Sequence, residues 1–391
     1  MFAWNKYSLK KIPFGLILSV LALCILGYLV LGSAVANDAG AASTMRKQLL
    51  GMIAGGAIIL VFGVIDYHFW LRLYPLLYLG MLGIQALLYT PLGKTYKQAT
   101  RWLEIPGLGE IQPSEFTKIL LILFFAWFFE RFAEKMNKIG YVLLALALFL
   151  VPAFLVFREP DLSSTVILTM LFVILFFAAG ISWKWIGAAA LGALPVAGFL
   201  LWDSTREDPL ILKPYMLNRI MAFLRPEEYQ GTGLIDQQQQ AVLAISSGSI
   251  LGKGLFNSSF DSVKNGNFLS EENCDFIFAV IGEELGFRGS AVILLLFLFL
   301  VLYCFRVGAQ APDKSGQLIC IGTGALIGLE VFINIAVTSG MIPNTGIALP
   351  FFSAGLSSLI TTMFGLAFVF NVALQRKEKE QRRQSSPYGR L

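Results

Sequence analysis

Apolar runs long enough to cross a bilayer, about 20 residues each, recur along almost the whole of this 391-residue chain. That repetition limits the fold more than any single motif does. Backbone N–H and C=O groups in hydrocarbon must be satisfied inside the segment, so each run has to be a helix. A spanning β-barrel would show short segments of alternating hydropathy instead. Ten spans are expected, at about 13–35, 48–65, 73–90, 115–130, 139–157, 162–181, 184–202, 277–304, 317–339 and 355–374. The fourth and the last begin on polar residues. Charged residues make up 14% of the chain, against about 25% in soluble domains. The chain therefore reads as an all-α polytopic membrane protein, with 1–375 forming one integral membrane domain. Its first run, Pro13–Val35, is long enough to span and lacks a convincing cleavage site, so it reads as a helix of the mature protein.

Loop charge sets the orientation. One group of segments carries Lys6, Lys10, Lys11, Arg72, Arg131, Lys135, Lys138, Lys184, Arg306 and Lys314. The tail adds Arg376, Lys377, Lys379, Arg382, Arg383 and Arg390, whereas the opposite short loops hold Arg46, Lys47, Lys94, Lys97, Arg101 and Arg158. An excess of Lys and Arg marks the cytoplasmic side, so both termini are expected there. Residues 376–391 then form a basic cytoplasmic tail suited to lipid headgroups. Four polar segments face outward: 91–114, 158–161, 203–275 and 340–354. The longest, 203–275, exceeds an ordinary connection. Its apolar stretches and glycines suggest short helices lying on or dipping into the membrane surface.

Cys24, Cys274, Cys304 and Cys320 have no metal-ligand spacing, and one histidine, His68, cannot build a histidine metal site. The chemistry rests on charged residues near membrane boundaries. Asp275 opens the apolar run Phe276-Ile277-Phe278 and follows a polar approach, which suits a general base; it also suits a helix cap. Pro113-Ser114-Glu115 is a helix start, with Glu115 three residues before Lys118. That spacing reads as an ion pair, or as Lys118 and Arg101 supplying charge to a lipid phosphate beside Trp102, which could anchor the interface or stack on a sugar. Glu159-Pro160-Asp161 caps the next helix or adds carboxylates to a site. Glu284 and Arg288 are spaced i,i+4 as a pair, whereas Glu283 and Glu330 lack a local partner. Charges inside spans face an interior or a wet cavity. Pro343, Gly346 and Pro350 interrupt any helix over 342–353, the pattern of a broken segment at a substrate cavity.

Together these strings resemble the SEDS family (shape, elongation, division and sporulation; the RodA, FtsW and SpoVE proteins). The resemblance runs in order through Arg101-Trp102 with Gln112 to Glu115, Glu159 to Leu162, Gln237-x-x-Gln240 with Gly248 to Gly254, Asp275 to Ala279 with Gly282 to Glu284, and Pro343 to Ser358. It covers nearly the whole chain. It departs at Asn273-Cys274, where the family often has His-Thr, and at Ser249 and Leu356, where glycines are common. The resemblance implies ten spans and a peptidoglycan glycosyltransferase that polymerises lipid II. Its implied partners are lipid II, the growing glycan strand, membrane lipids and a class B penicillin-binding protein (the transpeptidase), with no nucleic acid. The family's catalytic aspartate falls on Asp275.

The residues fit that chemistry on their own terms. A carboxylate can take the proton of an attacking sugar hydroxyl, and a departing diphosphate needs positive charge. Arg101, Lys118 and Arg219 can supply it, and a divalent cation, Mg or Mn, has room in the scheme; no organic cofactor is called for. The expected substrate-binding set is Arg101, Trp102, Glu115, Lys118, Asp161, Arg219, Gln237, Gln240, Lys253, Glu283, Pro343, Thr345, Ser353 and Ser357. Two other readings stay open: a lipid II flippase, which the intramembrane charges would suit, and a non-enzymatic scaffold for a transpeptidase.

Overall fold

The computed structural model describes residues 11–96, 99–105, 109–159, 161–182, 184–185, 187, 198–199, 202–203, 206, 214–229, 235–257, 262 and 275–375. The helices are α1 (Phe14–Ala34), α2 (Ala41–Val64), α3 (Tyr67–Arg72), α4 (Tyr74–Ala86), α5 (Pro113–Arg131), α6 (Ile139–Arg158), α7 (Leu162–Ala178), α8 (Pro214–Leu224), α9 (Asp236–Ser247), α10 (Ile277–Ala309), α11 (Lys314–Thr338) and α12 (Leu356–Gln375). Six of them, α1, α2, α6, α10, α11 and α12, are long and apolar enough to cross a membrane by length and composition. Nine expected spans coincide with described helices. The expected span 184–202 lies almost wholly outside the described residues, as do the tail 376–391 and Asn273-Cys274.

Helix α1 shows why the runs fold as they do. Phe14, Leu18, Leu21, Ile25 and Leu29 form one exposed apolar stripe, while Leu16, Val20, Leu23, Gly27 and Val30 are buried on the other face. A helix apolar on all sides can meet protein on one face and lipid on the other. Helix α5 differs. Its Glu115 and Lys118 interrupt the apolar run, and it is buried on most sides, packing against α4, α7, α11 and α12. Rings of α5 and α7 pack together there, Phe125 with Phe172 at 5.0 Å between centroids and Phe129 with Phe176 at 5.9 Å. Cys24, Cys304 and Cys320 are buried free thiols.

The polar segment 91–114 is a three-stranded antiparallel sheet, β1 (Gly93–Tyr96), β2 (Ala99–Ile105) and β3 (Gly109–Ile111), where a connecting loop was expected. Thr, Tyr and Trp favour strands, and Lys94 ties the sheet by ion pairs to Glu104 and Glu110. Arg101 and Trp102 thereby sit on a strand.

Helix α10 is broken. Gly286 lies at φ 64°, ψ −166° inside it, and the segment 249–254 fills the break. Lys253 N–H donates to Glu283 O and Gly254 N–H to Glu284 O; Phe287 N–H donates to Ser249 O and Arg288 N–H to Ile250 O. Ser249 takes the left-handed conformation, φ 52°, which accounts for the glycine common there in the family. The break also corrects the expected Glu284–Arg288 pair, because the i,i+4 geometry needs an unbroken helix. Glu284 instead accepts a hydrogen bond from Ser33 Oγ at 2.7 Å. Glu283 has the partner the local sequence lacked, Lys253 Nζ at 2.8 Å.

At the end of the bundle opposite the sheet, His68 joins three elements. Its Nδ1 lies 2.7 Å from Asp66 Oδ1 and its Nε2 2.7 Å from Asp313 Oδ2. Tyr67 Oη donates to Asp313 at 2.6 Å, and Gln375 Nε2 donates to Asp66 at 3.3 Å.

Candidate functional site

The turn before α10, the broken segment after α11 and the start of α5 converge at the sheet end of the bundle. They enclose a cleft of about 580 Å³, counting its open mouth, which Trp102, Gln112, Glu115, Lys118, Asp275, Gly346, Ser353 and Ser357 help to line. Asp275 is half-buried there, and the cap position of α10 belongs to the next residue, Phe276. Asn334 holds two walls together. Its Nδ2 donates to Asp275 O at 3.0 Å and to Ile347 O at 2.7 Å. Gly346 brings the broken segment close to the carboxylate. It lies at φ +73°, and a Cβ there would meet Asp275 Oδ2 at 3.1 Å and Arg219 Nη1 at 3.3 Å. Only glycine permits that conformation and that approach together.

Below the cleft, Lys118 is wholly buried between two carboxylates. Glu115 Oε1 is 2.8 Å from its Nζ, as the i,i+3 spacing implied, and Glu330 Oε1 hydrogen-bonds the same nitrogen. Glu330 therefore has a partner, 212 residues away in sequence. The ammonium charge is offset twice, which weakens the expectation that Lys118 serves a phosphate.

Asp161 is the cap of α7 and lies behind the cleft lining, bonded to Gln112 and Ser164, which do line it. Its Oδ1 accepts Ser164 N–H at 3.0 Å, and its Oδ2 accepts from Ser164 Oγ at 2.8 Å and Gln112 Nε2 at 3.1 Å. Burial alone would raise its pKa, but Arg101 and the Ser164 bonds hold it below the ordinary value. Glu159 goes the other way. Burial first, then the Asp161 charge, push its carboxyl up to about 9 despite Arg101. Both its oxygens are buried without a hydrogen-bond partner. Arg101 Nε donates to Glu159 O at 3.3 Å, so Arg101 braces this turn rather than lining the cleft.

The other expected site residues divide by place. Trp102, Glu115, Lys118, Ser353 and Ser357 line the Asp275 cleft, and Ser357 Oγ accepts Gln112 N–H at 3.1 Å. Arg219 lies in a neighbouring smaller cleft with Gln238 and Asn344. Thr345 O accepts from Ser163 Oγ on α7. Pro343, Gln237, Gln240, Lys253 and Glu283 line neither cleft. Gln238 fastens α9 to α11 and to the broken segment, donating to Val337 O at 2.7 Å and Ile342 O at 2.8 Å. Asn334 and Gln238 were missed from sequence, and Asn344 and Gly346 were read only as part of the broken segment; an asparagine inside an apolar span was the available signal for Asn334.

The model of the FtsW, RodA and SpoVE cell cycle proteins matches residues 14–378. The chain belongs to this family. A probable peptidoglycan glycosyltransferase FtsW of Trichlorobacter lovleyi is 32% identical over 376 residues, covering 94% of this chain and 95% of the relative. The peptidoglycan glycosyltransferase MrdB of Escherichia coli is 32% identical over 380 residues, covering 96% of each. Among solved structures, a peptidoglycan synthase complex that coordinates polymerization and crosslinking aligns with TM-score 0.76 and 25% identity, over 95% of this chain and 99% of that one. Thermus thermophilus RodA aligns with TM-score 0.67 and 24% identity, over 95% and 98%, and shares the fold. The protein is thus an integral membrane member of the SEDS family with the multi-helix fold of RodA.

Proposed function

We propose that this SEDS protein is a peptidoglycan glycosyltransferase that polymerises lipid II into β-1,4-linked glycan strands on the outer face of the cytoplasmic membrane. The observation that carries the reading is the Asp275 carboxylate in a serine-rich cleft at one end of the bundle, with the Arg219 guanidinium beside the same face of Gly346. In this scheme Asp275 takes the proton of the attacking sugar hydroxyl. Positive charge nearby offsets the charge growing on the diphosphate. The lipid stays in the bilayer, which is why the cleft belongs at the membrane boundary. Trp102 offers an aromatic wall, and Ser353 and Ser357 offer hydroxyls to a sugar.

Glu115 and Asp275 both face the cleft, and among the described residues no group of three metal-ligand side chains forms. A Mg²⁺ or Mn²⁺ ion would accordingly take its remaining ligands from substrate phosphate and water, a usual arrangement for Mg²⁺. The partner that fits is a class B penicillin-binding protein. Support comes from the similar fold within a synthase complex that couples polymerization to crosslinking. The intramembrane acids that would suit a flippase are engaged with Lys118, Lys253 and Ser33, which favours the enzyme.

Asp275→Asn tests the reading. Purified variant on lipid II should lose polymerisation by about 10²- to 10⁴-fold, with expression and thermal stability kept. Turnover near that of the wild type would remove Asp275 from the mechanism.

A further inference from the structure

The broken segment between α11 and α12 forms no helix or strand, so its carbonyls need partners from elsewhere. Side chains supply them. Gln238 donates to Ile342 O, Arg219 to Asn344 O and Ser163 to Thr345 O, from α9, α8 and α7. Asn334, on α11, donates to Ile347 O at 2.7 Å. Asn334 does more. The same amide nitrogen donates to Asp275 O at 3.0 Å, so one side chain ties the broken segment to the residue that carries the carboxylate. Gly346, the residue before Ile347, packs so near that a Cβ would lie 3.1 Å from Asp275 Oδ2. The clamp therefore acts where the segment bears on that carboxylate.

Asn334 is 1% exposed and lines neither cleft. Its orientation follows from the two carbonyls, because an amide oxygen turned to them would repel both. That oxygen, Oδ1, is then buried with no hydrogen-bond partner. A buried acceptor left unmatched is destabilising, so stability alone accounts poorly for this amide in an apolar span. Asn371 gives the contrast at the other end of the bundle. Its Nδ2 also spans two carbonyls, Gly63 O at 2.8 Å and Ile65 O at 2.9 Å. Its Oδ1, however, accepts from Tyr67 N–H at 3.1 Å and Gln375 Nε2 at 2.9 Å. The same clamp is complete there and far from the cleft.

We infer that Asn334 is a positioning residue for the general base: by tying Asp275 O to Ile347 O it sets where the carboxylate stands in the cleft, without touching substrate. The inference rests on the glycosyl-transfer reading and adds a residue to it. A base must stand about 2.6–3.2 Å from the oxygen whose proton it takes. A misplacement of about 1 Å can cost 10²-fold in rate. Without the clamp, the Asp275 main chain and the broken segment are released from each other. The carboxylate then keeps its charge and loses its place. Such a change falls on kcat, because the groups that bind substrate remain.

The experiment compares Asn334→Leu with Asn371→Leu, both as purified full chains polymerising lipid II. Values of kcat and KM are taken per folded molecule, and thermal unfolding is followed by tryptophan fluorescence. Asn334→Leu should lower kcat by about 10- to 100-fold, with KM within about threefold of wild type. Its unfolding midpoint should move less than that of Asn371→Leu, because the unmatched oxygen goes along with the two bonds. Asn371→Leu should unfold more readily yet keep the wild-type kcat. Asn334→Ala, which removes the amide without adding bulk, should show the same fall in kcat and carries the test if the leucine variant does not fold. Wild-type kcat in folded Asn334→Leu or Asn334→Ala, or a loss confined to KM, overturns the inference. So does an equal loss of kcat in Asn371→Leu, which would make the clamp merely structural. The base is read separately. Wild-type turnover in Asp275→Asn would remove base and clamp together, whereas an inactive Asp275→Asn beside a fully active Asn334→Leu removes the clamp alone.

Discussion

Replacing Lys118 with methionine should be among the most destabilising single changes in this bundle. The side chain is 1% exposed, and its nitrogen is shared by Glu115 at 2.8 Å and by Glu330. At 2.8 Å and an effective dielectric of about 20, each contact carries roughly 6 kcal/mol of gross attraction. Desolvation offsets most of this, and removing one partner of a buried pair costs about 3–5 kcal/mol net because a charge is left unmatched. Lys118→Met leaves two carboxylates facing each other, so the upper part of that range applies. Glu330→Gln should cost less, about 1.5–3 kcal/mol, because Lys118 keeps Glu115 and the amide oxygen still accepts a hydrogen bond. The double variant should be more stable than Lys118→Met alone, which requires a coupling larger than the Glu330→Gln cost, at the upper end of the roughly 0.5–3 kcal/mol range for residues in contact. Denaturant unfolding of the four proteins in one detergent, followed by tryptophan fluorescence, measures the cycle. Wild-type stability in Lys118→Met, or a double variant weaker than Lys118→Met, would refute the argument.

Gly252→Ala should disrupt the union of 249–254 with α10, because φ is +80° and a Cβ would fall 2.2 Å from Glu284 O. Faster proteolysis of the 235–257 region is the readout, with Gly40→Ala, where nothing lies within 4 Å, as a silent control. The His68 junction should depend on pH. Burial opposes the charge on His68, but the bonds to Asp313 and Asp66 prevail and raise its pKa above 6.5; burial likewise opposes the charges of Asp66 and Asp313, and His68 prevails to lower theirs. The histidine contribution is therefore complete below about pH 6.5 and fades as pH rises through the raised value, while the carboxylate contributions fade on acidification below about pH 4. Unfolding measured from pH 5.5 to 8.5 should show the alkaline decline in wild type and a flatter profile in His68→Gln. Glu159→Gln should raise stability at neutral pH. The Glu159 carboxyl, held near 9 when folded, must take up a proton that the unfolded chain lacks, so wild-type stability falls between about pH 4.5 and 9; a variant that unfolds more easily at pH 7.5 would contradict this.

The spans were legible because a run such as Phe14–Ala34 has no other stable form in lipid, and the Glu115–Lys118 pair because i,i+3 neighbours share a helix face. The site was legible as a set of polar interruptions: Asp275, Trp102, Ser353 and Ser357 do converge on one cleft. What joins them was not. Lys118 and Glu330 meet across 212 positions, a distance that local pattern does not encode. Gln237 and Gln240 line neither cleft whereas Gln238 between them does, because which face of α9 meets the broken segment is settled by packing. The expected Glu284–Arg288 pair failed at Gly286, where backbone satisfied from another segment overrode helical spacing. The sheet over 93–111 was read as a loop because two of its three strands, β1 and β3, have only four and three residues.

A span in hydrocarbon ordinarily completes its own backbone. Helix α10 does not: Glu283 and Glu284 carbonyls and Phe287 and Arg288 amides are completed by residues 249–254. The consequence concerns biosynthesis. This helix cannot complete its backbone from its own residues, because part of its hydrogen-bonding complement lies in a different stretch of chain. The ribosome makes 249–254 first, so the complement is already present when the broken span arrives. A circular permutant opened between residues 257 and 275 would reverse that order, leaving the span to wait in lipid with four peptide groups bare.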